Sequence, residues 1–309
     1  MLNQIQGLHH VTSMASSAPQ NNAFWTKTLG LRRVKQTVNF DDPSVYHLYY
    51  GDEVGTPGSV MTYFPFPHIA RGRPGTGEVG TTVLSVPAGA LGWWEQKLAA
   101  DGVAELKRDE SFGQKRLLFS GPDGDGLALV EDPSDVRAPW ANGGIPGDRA
   151  IRGFHSASLR LRDGGATEEL LKFMGYQVLD THEGIKRLVR PEGNGADVVD
   201  LETLPGAAQA NLGAGSVHHI AFAVPTKADQ LVVRKALTDT GYQLTPVIDR
   251  DYFFSVYFRT PGGVLFEIAT NEPGFDRDED TAHLGEALQL PKQHEHLRAR
   301  LEKTLEPLG

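Results

Sequence analysis

The sequence predicts an α+β fold of four repeated modules, each a short strand, a helix and three further strands (βαβββ). Three observations lead there. A strand–helix–strand pattern recurs four times along the chain. Three turn–strand units align at one spacing. The 35 glycines and 19 prolines fall at turns such as Pro57-Gly58, Pro122-Asp123-Gly124 and Pro261-Gly262-Gly263 rather than in a low-complexity tract, as many short strands require.

The first module opens at Gly7-Leu8-His9-His10-Val11-Thr12. A helix is predicted near Asn21 to Leu29, ending at Gly30 as a C-cap. Strands follow near Arg32 to Asn39, Val45 to Tyr50 and Val60 to Phe64. The second module opens at Gly80-Thr81-Thr82-Val83-Leu84, with a helix over Leu91 to Ala100 and a last strand at Leu127 to Glu131. The third opens at Gly153-Phe154-His155-Ser156-Ala157; its helix covers Thr167 to Met174 and its last strand lies near Asp197 to Leu201. The fourth opens at Ser216-Val217-His218-His219-Ile220, with a helix over Lys227 to Asp239 and a last strand at Val264 to Thr270.

Turns fix the register. Pro122-Asp123-Gly124 precedes Leu127-Ala128-Leu129, and Pro261-Gly262-Gly263 precedes Phe266-Glu267-Ile268, without a gap; Pro57-Gly58-Ser59 precedes Thr62-Tyr63-Phe64 at the same spacing. The chain therefore divides into modules one and two (1–131), a linker rich in proline, glycine and polar residues (132–150), modules three and four (151–275) and a helical tail (276–309). In that tail Pro291 is placed to open a helix with Leu297, Leu301 and Leu305 on one face, a packing or oligomer surface.

Composition narrows the function. A chain of 309 residues builds a core without staples. With no cysteine there is no disulfide, zinc finger, iron–sulfur cluster or thiol nucleophile. The longest apolar runs, such as Leu127 to Val130, are too short to span a bilayer. Met1 to Gly7 has no basic n-region, so no signal peptide is expected and the cytoplasm is the expected location. The net charge of −9 argues against nucleic acid as a partner.

The fourfold pattern resembles the vicinal oxygen chelate superfamily, which includes glyoxalases, extradiol dioxygenases and drug-sequestering proteins. The resemblance implies that modules pair, that their sheets curl into a cup, and that a cup often holds a divalent metal. Alternate residues of a strand face opposite sides. In module four, Ile220, Phe222 and Val224 form a bulky apolar face, so His219, Ala221 and Ala223 face the cup. The same register selects His10 and Thr12 in module one. Glu267 is a carboxylate in a strand that otherwise reads as buried, where an unpaired charge costs several kcal/mol, roughly, and a cation removes that cost. Two imidazoles and one carboxylate suit non-haem Fe(II) with open positions. The repeat is its own control. At the place of His10 and His219, module two has Thr82 and module three Ser156; at the place of Glu267, module two has Ala128, module one Tyr63 and module three, by a loose alignment, Asp200. Only modules one and four can share a metal cup. The bland alternative, ordinary hydrogen-bonded core histidines, suits a lone histidine better than this set. Glyoxalase I–type members use a fourth ligand, which would fall at Tyr63, a poor donor.

The resemblance narrows on Leu8-His9-His10-Val11-Thr12, on Val217-His218-His219-Ile220-Ala221-Phe222, and on the run from Tyr257 to Thr270, with Tyr46 to Asp52 and Gly55-Thr56-Pro57-Gly58 in support. Over nearly the whole chain it is similar to the ring-cleaving para-hydroquinone 1,2-dioxygenases. That resemblance implies an Fe(II) enzyme, with Mn(II) as an alternative, that opens a hydroquinone ring with O₂. It assigns the metal to His10, His219 and Glu267 and supporting or catalytic roles to His9, Thr12, His218, Arg250 and Tyr257. His218 is the candidate acid–base group, although a regular strand would turn it away from the cup; either the strand is irregular or His218 supports His219 from behind. Arg250 either stabilises an oxyanion or forms a surface ion pair with Asp249 or Asp251. Tyr257 either donates a hydrogen bond or is core. His47 and His68 read as structural or loop residues, and His294 and His296 as solvated. The expected partners are a small aromatic substrate and O₂, without nucleic acid or membrane, in a homodimer. Hydroquinone and catechol both remain open as substrates. The alternatives are a glyoxalase-like metal-dependent lyase or isomerase, and a protein that sequesters an aromatic compound.

Overall fold

The structure is a computed structural model and describes residues 1–309. Module one comprises β1 (Leu8–Ala15), α1 (Ala18–Ala23) running into a π-helical turn (Phe24–Thr28), β2 (Arg32–Val38), β3 (Tyr46–Gly51) and β4 (Val60–Pro65). Module two comprises β5 (Glu78–Val86), α2 (Leu91–Ala100), β6 (Lys107–Ser111), β7 (Gln114–Ser120) and β8 (Gly126–Glu131). Module three comprises β9 (Gly153–Leu161), α3 (Gly165–Phe173), β10 (Gln177–His182), β11 (Ile185–Val189) and β12 (Val198–Thr203). Module four comprises β13 (Val217–Val224), α4 (Lys227–Asp239), β14 (Ile248–Asp249), β15 (Phe253–Arg259) and β16 (Leu265–Pro273).

Two helical details differ from the sequence expectation. The first helix begins earlier, because Ser17 caps it through the Gln20 amide and Pro19 sits in its first turn, where a missing N–H costs nothing. The tail is helical only in part. Lys292–Leu297 winds as a 3₁₀ turn, and α5 (Arg298–Thr304) is the one α-helical piece, with Leu301 buried.

The strands form two eight-stranded mixed sheets, each curled around a concave face. Sheet one has the order β14-β15-β16-β13-β1-β4-β3-β2 and holds modules four and one; sheet two has the order β10-β11-β12-β9-β5-β8-β7-β6 and holds modules three and two. In every module the first strand runs parallel to the last, and the two modules of a sheet meet through antiparallel first strands, β1 with β13 and β5 with β9. These central strands have neighbours on both sides, and both their faces are covered. β1 is buried along its whole length although it reads Leu-His-His-Val-Thr-Ser-Met-Ala, so its polar side chains must find partners inside the fold.

A single core of 52 buried residues draws on both sheets and on α1 to α4, so the two sheets share one interior. A second cluster, with Tyr49, Ala221, Tyr252, Phe253, Ala269 and Phe275 among its members, lies in sheet one and its flanking loops. The segment 132–150 contains no helix or strand but is not a free tether. Arg137 donates to the carbonyls of Gly58 and Phe154, at 3.2 and 2.7 Å, and Ile145 packs into the space beside Gly30. Gly30 has φ +71°, and a Cβ there would stand 2.3 Å from Ile145 Cγ1, so this helix end requires glycine twice over.

Candidate metal centre

β13 and β1 are the two central strands of sheet one. Their ladder pairs His10 with Ala221, Val11 with Ile220 and Thr12 with His219. It slips once at each end. Leu8 pairs with Phe222, leaving His9 as an extra residue; Ser13 pairs with Val217, leaving His218 as the other. Each is a β-bulge, which places two residues opposite one and re-aims their side chains. Neighbouring rings can then stand edge to face, with centroids 5.0 Å apart for His9–His10 and 5.1 Å for His218–His219. The strand is thus irregular at His218, and His218 lines the cavity rather than pointing away.

The ladders also correct the repeat alignment. Thr12 pairs with Thr62, and Ala221 pairs with Glu267; Thr12 and Ala221 each lie two residues after His10 and His219. The module-one counterpart of Glu267 is therefore Thr62, not Tyr63. Tyr63 is buried in the core, where its hydroxyl donates to Asp125 at 2.8 Å. In sheet two the same logic puts Thr81, not Thr82, at the place of His10, because Thr81 pairs with Ser158. Asp200 also pairs with Ser158 and so takes the place of Glu267 without ambiguity. Arg187 meets it there with two bonds of 2.8 Å, so the second cup carries its own cation.

His10, His219 and Glu267 form the chain's one cluster of three such ligand atoms, all within 4.8 Å of one another. Nε2 of His219 is 2.9 Å and Nε2 of His10 3.2 Å from Glu267 Oε2, and the two Nε2 atoms are 3.3 Å apart. All three side chains are buried. Ser255 donates to the other oxygen of Glu267, while Oε2 is buried without a hydrogen-bond partner.

Hydrogen bonding fixes what the imidazoles present. His9 Nε2 lies 3.1 Å from the Thr270 carbonyl, which only accepts, so that nitrogen carries the proton. Burial and the neighbouring His10 push His9 down to about 3, so the ring is neutral and its Nδ1 is a lone pair. That lone pair faces His10 Nδ1 at 2.9 Å, which must donate, leaving His10 Nε2 bare towards Glu267. His218 repeats the contact on the other strand, Nδ1 to Nδ1 at 2.8 Å, and is neutral because burial, then His219, lower it to about 4. Burial opposes ionisation of Glu267, and it is positive charge at the cluster, on protonated imidazoles or a bound cation, that holds the carboxyl well below its usual range. A carboxylate oxygen facing imidazole lone pairs in a dry interior needs a cation between them. The donor set fits one divalent metal; His9 and Ser255 orient its ligands from behind, and His218 holds His219 from the cavity side.

Beside the cluster lies a cavity of about 360 Å³, lined among others by Met14, Phe40, Phe64, Phe66 and Leu265. Seven aromatic rings make a closed chain of contacts, in the order His10, Phe253, Tyr49, His47, Phe64, His218, His219, and all but Tyr49 line the cavity. Successive centroids are 5.0, 6.4, 4.1, 4.3, 6.0 and 5.1 Å apart, and 5.5 Å closes the circuit. Arg250 and Tyr257 line the cavity too. The guanidinium of Arg250 lies 5.6 Å from the Tyr257 ring, and its carboxylate neighbour is Asp41, at 3.8 Å, not Asp249 or Asp251. Burial, then the charge of Glu267, raise Tyr257, which is a neutral donor. His9 and Thr12 do not line the cavity. Thr12 bonds Thr62 at 3.1 Å, and Thr62 bonds His47 Nε2 at 2.8 Å.

His47 is not merely structural. It lines the cavity, with Nδ1 held by the Tyr49 hydroxyl at 2.8 Å. The alternation of His47 and Tyr49 with Tyr46, Leu48 and Tyr50 was the available sign. Ser255 was also missed, though it stands two residues before Tyr257 on the face that meets Glu267. His294 is tied to the Phe40 carbonyl at 2.9 Å and is not free in solvent. A second cavity of about 420 Å³, lined by Arg71, Glu78 and Arg160 among others, holds no ligand cluster.

Residues 7–268 match the family model described as Glyoxalase/Bleomycin resistance protein/Dioxygenase superfamily. The Bacillus subtilis (strain 168) protein MhqO, provisionally named a ring-cleaving dioxygenase, is 40 % identical over 308 residues, covering 99 % of this chain and 98 % of that protein. The chlorohydroquinone/hydroquinone 1,2-dioxygenase of Sphingobium indicum is 35 % identical over 315 residues, covering 98 % and 96 %. A crystal structure from Bacillus subtilis, described provisionally as a dioxygenase, superposes with a TM-score of 0.95 at 39 % identity, covering 99 % of this chain and 98 % of that one. Glyoxalase I from Zea mays shares the fold at a TM-score of 0.63 and 13 % identity, over 86 % of this chain and 92 % of that one.

Proposed function

The chain belongs to the glyoxalase/bleomycin resistance protein/dioxygenase superfamily, and from that membership we propose that it is an Fe(II)-dependent ring-cleaving dioxygenase acting on a hydroquinone-type substrate. One observation carries the reading: a two-histidine, one-carboxylate cluster lies beside a cavity lined by aromatic rings. The names of relatives at 35–40 % identity support the reaction class. Three protein ligands would leave a bound metal open to both substrate and O₂, and the position equivalent to Glu267 in module one is a threonine already bonded to Thr12 and His47. That arrangement weighs against a four-ligand lyase.

When bound, a ferrous ion supplies Lewis acidity towards a phenol oxygen and a redox-active site for O₂. The protein's own groups do the rest. The aromatic circuit holds a flat ring edge-on to the cluster and excludes water. His218 accepts at Nδ1 from His219, so Nε2 carries the ring's proton; it is a donor first and takes a proton back only after giving one up. Tyr257 donates from its neutral hydroxyl, and Arg250 faces the oxygen on which negative charge grows. Both atoms of one O₂ end in each opened ring. A homodimer is part of the same proposal, and sedimentation velocity tests it. No helix of the structure is long and apolar enough to cross a membrane.

The test is oxygen uptake by protein reconstituted anaerobically with Fe(II), given methylhydroquinone and catechol separately, with His219→Ala as control. We expect uptake with the hydroquinone, lost in the variant. Uptake with catechol alone would overturn the substrate. No uptake despite one bound metal per chain would favour a lyase or isomerase.

A further inference from the structure

Lys35 is a lysine with no exposed surface, on the outermost strand of sheet one. Its ammonium lies 2.6 Å from Asp278, 2.5 Å from Glu279 and 4.7 Å above the ring of Tyr252. The Tyr252 hydroxyl donates to the second oxygen of Asp278 at 2.9 Å. One residue earlier, Arg277 donates to the Asp251 carbonyl at 2.6 Å. Asp251 has φ +67°, a left-handed conformation that a non-glycine residue keeps only when its surroundings impose it. The turn is closed by the Tyr252 amide on the Arg250 carbonyl, at 2.8 Å, and by the Arg250 amide on the Phe253 carbonyl, at 3.0 Å.

Segment 250–253 is therefore held at two points by residues 277–279, which are held in turn by Lys35. No residue of 276–309 lines the cavity, yet this segment delivers Arg250 and Phe253 to it, and Arg250 is the cavity's one lysine or arginine. A buried ion group is weak evidence for added stability, since desolvation offsets the attraction; fixing one arrangement is its better-attested use.

We propose that Lys35 is a positioning residue for Arg250: the Lys35–Asp278–Tyr252 clasp sets where the cavity's one guanidinium stands. The proposal rests on the reading above for what Arg250 contacts. Lys35→Met removes the charge, and Tyr252→Phe is the milder variant, removing only the hydroxyl. We expect kcat/KM with methylhydroquinone to fall about tenfold in Lys35→Met, less than the ~100-fold that a 1 Å misplacement can cost, while metal content is unchanged. In an Arg250→Met background, adding Lys35→Met should change kcat/KM by less than about twofold, since the clasp would have nothing left to position. Arg187→Met in the second cup is the control for lost stability alone; it should lower Tm without lowering kcat/KM. Independently of turnover, hydrogen exchange at 249–253 should quicken in Lys35→Met and, to a lesser degree, in Tyr252→Phe. Losses that multiply in the Arg250→Met background, or unchanged exchange at 249–253, would overturn the clasp. If the wild-type protein consumes no oxygen with any diphenol, the dioxygenase reading fails, and the exchange data still decide the clasp.

Discussion

At the residue scale the centre depends on protons as much as on ligands. His10 offers its Nε2 lone pair because His9 accepts from its Nδ1, and His9 can accept because the Thr270 carbonyl takes the proton on its far side. Replacing His9 with alanine should weaken metal binding about 10- to 100-fold, as loss of an outer partner does; competition with a chelator of known affinity measures it. Ser255→Ala should weaken binding in the same range and lower the Tm as well, because it leaves one buried oxygen of Glu267 without its donor. His10, His219 and Glu267 were legible as a candidate set because two histidines at one repeat position and a carboxylate in an apolar strand each violate a local pattern. Ser255 violates none, since a serine in a strand draws no attention until its partner is known.

At the element scale the two bulges do the work of aiming. His218 is the extra residue between two intact pairs, Thr12 with His219 and Ser13 with Val217. Deleting His218 should leave both pairs in place. We expect a folded protein with a Tm within a few degrees of wild type and with its oxygen consumption abolished; circular dichroism and oxygen uptake together check this. The elements themselves were readable from turns and periodicity, and α2 and α4 lie over the predicted residues. Bulges were not, because an inserted residue changes pairing without changing composition. The expected counterparts of Glu267 and His10, Tyr63 and Thr82, each fell one residue late because turn and motif spacing rather than strand pairing set that alignment.

At the scale of the whole molecule the two cups have parted ways. Sheet two keeps the bulges, at Gly80 and His155, and keeps a carboxylate at Asp200, but neutralises it with Arg187. Arg187→Leu should destabilise the fold by about 3–5 kcal/mol, whereas Arg187→Leu with Asp200→Leu should come close to neutral; urea unfolding followed by circular dichroism separates these outcomes. The modules are also joined by a titrating contact. Asp125 in module two accepts from Tyr63 in module one, and burial foremost raises its carboxyl to about 6. A carboxyl raised on folding binds its proton more tightly in the native state, so its contribution is most favourable below pH ~4 and is lost as pH rises to about 6. Comparing unfolding free energies at pH 4.5 and 7 for wild type and Asp125→Asn should show a steeper fall in the wild type, by about 2 kcal/mol.

The pairing of the first module with the last has a consequence in time. Sheet two is complete once the ribosome has made Thr203, but Glu267 is needed before sheet one can hold a metal. At roughly 5–20 residues per second, the inner pair can close some 3–13 s before the outer one. A nascent, stalled or clipped chain therefore already possesses one finished half while lacking the third ligand of the cluster. The complete donor set is withheld from every unfinished product and assembles only when the two ends of the message have both been translated and have met.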